Sequence, residues 1–220
     1  AGAFPGLSPM GVNDVPATDP RKKELAKKCG ALVMKLWQDG VKPDSILTET
    51  ALHNAIASVA ATGGSTNAVL HLLAIAREVG VELNLEDFDR ISAATPVIVD
   101  FKPWGRFTAP DLEKAGGMRL VANRLMGADL IKDASTVSGA SLFEEAQAAQ
   151  ETEGQKVVSR VESPIKNRGG FAILKGSLAP EGCVMKLAGH GTESFQGIAR
   201  VFDNEEDAFN AIENGKVKSG

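Results

Sequence analysis

The sequence predicts a mixed α/β protein in two unequal parts. Residues 1–150 read as a helix-rich α/β segment and residues 151–220 as a β-rich module that is incomplete. Three observations predict this. Apolar residues recur at helical spacing through the first part, interrupted by the buried-looking run Val97-Ile98-Val99. Beyond residue 156 the pattern changes to short apolar runs separated by Gly, Pro and Asn. The tail from Asn214 to Gly220 stops where a further strand would be needed to finish such a module.

Each element has its own signal. Residues 1–16, rich in Gly and Pro, read as extended chain. Asp19-Pro20 then supplies an N-cap and an early proline for a helix in which Leu25, Cys29, Leu32, Val33 and Leu36 recur, closed by Gly40. A second helix begins at Thr48, carries Leu52, Ala55, Ile56 and Val59, and stops at Gly63-Gly64. Ser65 caps a third, Thr66 to Val79, whose Val69, Leu70, Leu72, Leu73, Ile75 and Val79 leave it apolar around most of its circumference, which predicts burial. Asn84 starts a short fourth helix with Phe88 and Ile91 inward. Thr108-Ala109-Pro110-Asp111 has the form of a capping box for a helix pair broken at Gly116-Gly117 and ending near Met126. The polar stretch 144–156 reads as a solvated helix end or linker.

In the second part, Val157-Val158, Phe171–Leu174, Cys183–Leu187 and Ala199–Phe202 are expected strands, and Asp203-Asn204 caps a closing helix to Ile212.

Composition narrows the function classes. Hydrophobic residues make up 43% and charged residues 24%, an ordinary balance for a folded chain. The formal net charge of −4 argues against a nucleic-acid partner, which usually meets a basic domain. No apolar run is long enough for a membrane span, and the opening AGAFPGLSPM lacks the basic and apolar regions of a signal peptide. The expectation is a soluble, cytosolic chain. Cys29 and Cys183 lie far apart and outside any paired-cysteine motif, so they read as reduced, small core residues, with a reactive thiol or metal ligand as the alternative.

The local pattern richest in chemistry is Gly63-Gly64-Ser65-Thr66-Asn67. Paired glycines let a backbone approach a ligand closely, and the helix start that follows offers free N–H groups to an anion. Gly64, Ser65, Thr66 and Asn67 are therefore the candidate binding residues, and a tight helical joint capped by Ser65 is the alternative reading of the same residues. No P-loop lysine follows. His71 lies one turn beyond Asn67 on the same face, as a hydrogen-bonded core residue or as a base. His53 and His190 read as structural or exposed. Lys102-Pro103-Trp104-Gly105-Arg106 gathers cations and an indole in one turn, able to hold a carboxylate or simply to pack Trp104 down. Gly116-Gly117 and Gly169-Gly170 read as turn or cap glycines. No HExxH, GxSxG or GxGxxG pattern occurs, and spacing alone assembles no complete catalytic set.

Several segments carry a resemblance. They are Asp39-Gly40-Val41-Lys42-Pro43 through Ile46-Leu47-Thr48, then Asn54-Ala55-Ile56, then GGSTNAVLHLLAIAREVGVEL. Asp87-Phe88, Thr95-Pro96, the Lys102-to-Arg106 turn and Asp111-Leu112 with Ala115-Gly116-Gly117 follow, then Gly169 through Gly182 and Ala199–Phe202. In register over nearly the whole chain, they resemble the dihydroxy-acid dehydratase family, which includes related sugar-acid dehydratases. VLHLLAIA and LAPEG are closer to the branched-chain dihydroxy-acid enzymes. Trp104 stands where that branch is expected to have a small residue.

The resemblance implies a hydro-lyase of branched-chain amino-acid biosynthesis that converts a 2,3-dihydroxy carboxylate to a 2-keto acid. An iron–sulfur cluster would act as Lewis acid, Mg²⁺ would hold the substrate and a serine alkoxide would take the C2 proton. It implies a helical cluster-bearing domain, a smaller β-rich swivelling-type domain, a homodimeric full-length parent, and a cytoplasmic or organellar location. The family's cluster cysteines and its first magnesium ligands precede the matched stretch, and its later magnesium glutamate and serine base follow it. Cys29 and Cys183 match no cluster position. The chain is therefore expected to be an internal fragment that lacks the catalytic groups, binds no cofactor alone and shows no turnover. A fragment of a sugar-acid (aldonate or 6-phosphogluconate) dehydratase, or a stand-alone non-catalytic binding or assembly module, is the alternative. Exposed apolar surface on the helix after Ser65 and on the interrupted β module is expected to drive association.

Overall fold

The structure is a computed structural model that describes residues 2–189 and 194–217. The residues group into two compact units, Ala1–Gly189 and His190–Gly220.

The axis of the first unit is α2 (Glu49–Thr62). Thr48 caps it by accepting from the Ala51 N–H, and Gly63 ends it in the left-handed conformation at φ 58°. Ala51, Leu52, Ala55, Ile56 and Ala60 have no exposed surface. The small residues on several faces of α2 let neighbours close on it from more than one direction. α3 (Asn67–Glu78) and α4 (Leu85–Ala94) pack on α2. α4 opens with the reciprocal Asn84–Asp87 capping box and turns Phe88 and Ile91 inward, as the sequence indicates. The Thr108–Asp111 box starts α5 (Ala109–Ala115), and α6 (Gly117–Gly127) follows after the glycine break. α7 (Leu142–Gln147) lies on α6, capped by Ser141. α1 (Arg21–Gln38) precedes a short 3-10 turn at Pro43–Ser45.

Val97-Ile98-Val99 is fully buried, but it forms isolated bridges to Lys166 and Val158 rather than a ladder. The Ile98 N–H donates to Ala61 O at the end of α2. β1 (Phe171–Gly176) and β2 (Ala179–Lys186) form an antiparallel hairpin from Phe171↔Lys186 to Gly176↔Ala179. α4 holds this hairpin. Phe88 meets Phe171 with ring centroids 6.4 Å apart, and the Ser92 hydroxyl donates to Phe171 O. Asp89 accepts from the Ile173 N–H and from Arg168, each at 3.1 Å, and Lys175 pairs with Glu86.

In the second unit, Asn204 caps α8 (Glu205–Glu213) by accepting from the Asp207 N–H at 2.8 Å. The Arg200 guanidinium donates to Lys216 O and lies over the Phe202 ring at 5.8 Å.

Several expectations are corrected. Residues 2–16 form successive turns, with Phe4, Met10 and Val15 buried, because Gly6 and Gly11 take positive φ and fold the segment onto the body. α1 has no buried residue: Leu25, Cys29, Leu32 and Leu36 are only half-buried. α3 buries only Val69, Leu72 and Ala76 and exposes Leu70, because neighbours cover one side of it. Its N-cap position is Thr66 rather than Ser65. Ala199–Phe202 forms no strand among the described residues, since no neighbouring strand takes up its backbone polar groups. Cys183 is exposed and Cys29 half-buried, so neither is a core residue. His190 and Lys218–Gly220 lie outside the described residues.

One buried carboxylate ties the amino-terminal turns to the body. Asp14 is 9% exposed and accepts from the Met118 N–H at 2.8 Å, capping the start of α6 across a long stretch of sequence. Burial pushes its pKa up, against the lowering pull of that N–H and of Arg119. A folded-state pKa above the unfolded value stabilises most below the unfolded pKa, and this contribution is lost as pH rises through the folded pKa. Asp14→Asn keeps an acceptor without the buried charge. It is therefore expected to match or exceed the native chain at pH 7, with the difference shrinking toward pH 4. Asp14→Ala strands the Met118 N–H and is expected to cost about 1–3 kcal/mol. Urea unfolding of both variants across this pH range checks the sign.

Candidate functional site

Gly63-Gly64-Ser65-Thr66-Asn67 joins α2 to α3. The Gly63 and Gly64 N–H groups donate back to Ala60 O and Val59 O, closing α2. The Ser65 hydroxyl accepts from the Asn67 N–H at 3.2 Å, so Ser65 serves the first turn of α3 without occupying its N-cap. Ser65 and Asn67 are exposed, Thr66 and Gly64 half-buried.

This joint lies at the meeting point of three motifs that are far apart in sequence. A Cβ on Gly63 would run into the Trp104 indole nitrogen and the Ala188 side chain. A Cβ on Gly170 would sit 2.5 Å from the Gly63 Cα, so the two glycine backbones cross in direct contact. The Gly170 N–H donates to Ala60 O at 3.0 Å, and Gly170 O accepts from the Leu187 and Ala188 N–H groups. Gly169 and Gly170 thus serve a close approach of chains, correcting their reading as turn glycines. The paired glycines next to an apolar run were the available signal. Nothing in sequence spacing placed Trp104 or Ala188 beside Gly63.

The Lys102–Arg106 turn holds a carboxylate of its own chain. The Arg106 Nε donates to Asp100 and its backbone N–H donates to the other Asp100 oxygen at 2.8 Å. Trp104 is packed down, and its indole N–H is buried among the described residues with no hydrogen-bond partner.

Beyond the joint, Ser65 with Asn67, His71 and Ile75 of α3 lines a cleft of about 390 Å³ whose lining also includes Leu7 and Leu47. Asn67 and His71 share this face as their spacing requires, but His71 is exposed, which corrects its reading as a core histidine. His53 lies elsewhere, half-buried and 4.0 Å from Glu49. The arrangement offers hydroxyl, amide and imidazole groups at the mouth of an apolar wall. That combination suits a small molecule with a polar head and an aliphatic body.

Among the described residues no three His, Cys, Asp or Glu side chains are placed to share a metal ion. The two cysteines sit on α1 and β2. The described residues therefore do not fit an iron–sulfur cluster, which is held by several thiolates, and among them no carboxylate cage for Mg²⁺ is formed. No helix among the described residues is long and apolar enough to cross a membrane.

Residues 3–145 match the dihydroxy-acid/6-phosphogluconate dehydratase N-terminal family and residues 156–220 match its C-terminal counterpart, and the chain belongs to this family. It is similar to the dihydroxy-acid dehydratase of Koribacter versatilis, 56% identical over 220 residues, covering 100% of this chain and 38% of that protein. A dihydroxy-acid dehydratase of Thermus thermophilus is 51% identical over 217 residues, covering 98% of this chain and 39% of that protein. That of Sulfolobus acidocaldarius is 44% identical over 218 residues, with 98% and 39% covered. The chain thus spans less than two fifths of the length of these relatives.

Proposed function

We propose that this chain is the middle of a hydro-lyase that dehydrates 2,3-dihydroxy carboxylic acids to 2-keto acids in branched-chain amino-acid biosynthesis. The observation that carries the reading is the identity with dihydroxy-acid dehydratases along its whole length, up to 56%. In this reading the Lewis acid, the magnesium ligands and the proton-abstracting base come from parts of the longer protein outside these residues. What this chain contributes is wall and scaffold. The crossing of Gly63 and Gly170 fixes the α2–α3 joint, Ser65 and Asn67 set polar groups beside an aliphatic surface suited to a branched-chain acid, and Gly64 and Thr66 are assigned with them to substrate binding. The full-length parent acts as a homodimer in the cytoplasm or an organellar matrix, with an iron–sulfur cluster and Mg²⁺ as cofactors.

The test is an assay of 2-keto acid formation from 2,3-dihydroxyisovalerate, by the chain alone and after reconstitution with the flanking segments of a full-length enzyme. Turnover is expected only in the reconstituted sample, and there Ser65→Ala or Asn67→Ala should raise KM more than it lowers kcat. Turnover by the chain alone would overturn the assignment of the chemistry to other segments. Preference for a sugar acid would overturn the substrate class.

A further inference from the structure

Gly63-Gly64 is the part of the α2–α3 joint that its own side chains restrain least, since neither residue has a Cβ. What limits it is brought from elsewhere in the sequence. The Trp104 indole fills the space beside Gly63: a Cβ there would run into Nε1 and come within 2.8 Å of both Cε2 and the Ala188 methyl group. A Cβ on Gly189 would likewise sit 2.7 Å from the Trp104 Cβ, so two backbones close on one side chain. The indole stands on a braced turn. Asp100, 8% exposed, accepts from the Arg106 N–H at 2.8 Å and from its Nε, and the Gly105 N–H donates to Phe101 O at 2.8 Å. The Lys102 N–H closes the turn on Phe107 O at 2.8 Å, and the Asp100 N–H ties it to Val157 O at 2.9 Å. The indole N–H has no partner among the described residues, so the ring meets Gly63 by shape and not through a hydrogen bond.

We propose that Trp104 is a positioning residue for substrate binding. Its ring fences Gly63 in the left-handed conformation, φ 58°, that ends α2, and thereby fixes where α3 starts. Ser65 and Asn67 are the groups that this start carries into the cleft. They move as a unit, because the Asn67 N–H donates to the Ser65 hydroxyl at 3.2 Å. Trp104 itself does not line that cleft, so it acts on a ligand only through them. A side chain that supports the groups in contact with a ligand sets affinity by holding them near their productive geometry. Because the indole N–H is unused, phenylalanine, whose ring edge extends about as far from Cβ, should serve in its place, whereas a flexible aliphatic chain should not. The inference rests on the reading of the joint as a substrate-binding strip.

Two measurements separate the positioning role from that reading. In the chain alone, amide hydrogen exchange resolved by residue should show Gly63 and Gly64 exchanging about tenfold faster or more in Trp104→Leu. Amides of α6 should keep their rates, and Trp104→Phe should keep the native rates at the joint. In the reconstituted enzyme Trp104→Leu should raise KM about fivefold or more with kcat nearly unchanged, and Trp104→Phe should restore it. With Ser65→Ala and Asn67→Ala already in place, Trp104→Leu should add almost nothing to KM, because the groups it positions are gone. Joint amides indifferent to Trp104→Leu, a phenylalanine variant no better than leucine, or a full effect of Trp104→Leu on top of the double substitution would each overturn the positioning role. A KM unmoved by Ser65→Ala and Asn67→Ala would instead overturn the reading of the joint, and the proposal with it, even where the exchange rates follow Trp104.

Discussion

Replacing Gly170 with alanine is expected to destabilise the first unit by about 3 kcal/mol, near the upper end of overpacking costs. The new methyl group would point at the Gly63 Cα at 2.5 Å and at two further Gly63 backbone atoms at 3.3 Å. No rotamer relieves that overlap, because both partners are main chain. Relief requires the hairpin to lift from the end of α2, which breaks the Gly170 N–H bond to Ala60 O. Gly176→Ala is the matched control, since a Cβ there meets nothing within 4 Å. Urea unfolding of the two variants should separate them clearly. Equal midpoints would mean that the two glycine backbones do not cross in solution.

Phe88→Ala is expected to cost about 3–5 kcal/mol. Phe88 is 1% exposed and fills the space between α2 and the hairpin, its ring tilted 56° against Phe171. Truncation leaves a cavity that the Ala-rich face of α2 cannot refill. It also removes a ring pair that contributes about 0.5–1.5 kcal/mol beyond its buried area. A double-mutant cycle with Phe88→Leu and Phe171→Leu should recover a coupling of that size. A cost below about 1 kcal/mol for Phe88→Ala, outside the usual range for a buried ring, would mean that the polar contacts of Asp89 and Ser92 hold the hairpin without the aromatic pair.

Much of the helical skeleton was legible because its signals are local. Thr48 and Gly63 bracket α2, Asn84 and Asp87 open α4, and Thr108 and Asp111 open α5, each within a few residues of the groups they satisfy. Burial was less legible. α3 is apolar on most sides, but the packing partners of a helix lie outside its own sequence, and Leu70 remains 69% exposed. The same limit applies to α1, where Trp37 and Val33 share apolar character with Leu32 and Leu36 but not their neighbours. Ala199–Phe202 has strand composition without a strand partner. At the joint, GGSTN was recognisable, and so was each of the motifs at residues 102–106 and 169–170. Their convergence was not, because it depends on long-range folding and not on spacing.

The carbonyls that end α2 have a temporal implication. Ala61 O waits for the Ile98 N–H, and Ala60 O, which already accepts from the Gly63 N–H, gains that of Gly170. At a translation rate of about 5–20 residues per second, the ribosome delivers the later of these donors on the order of ten seconds after α2 has been made. Over that interval the most apolar helix of the nascent chain has no lid, and Ala61 O is met by water.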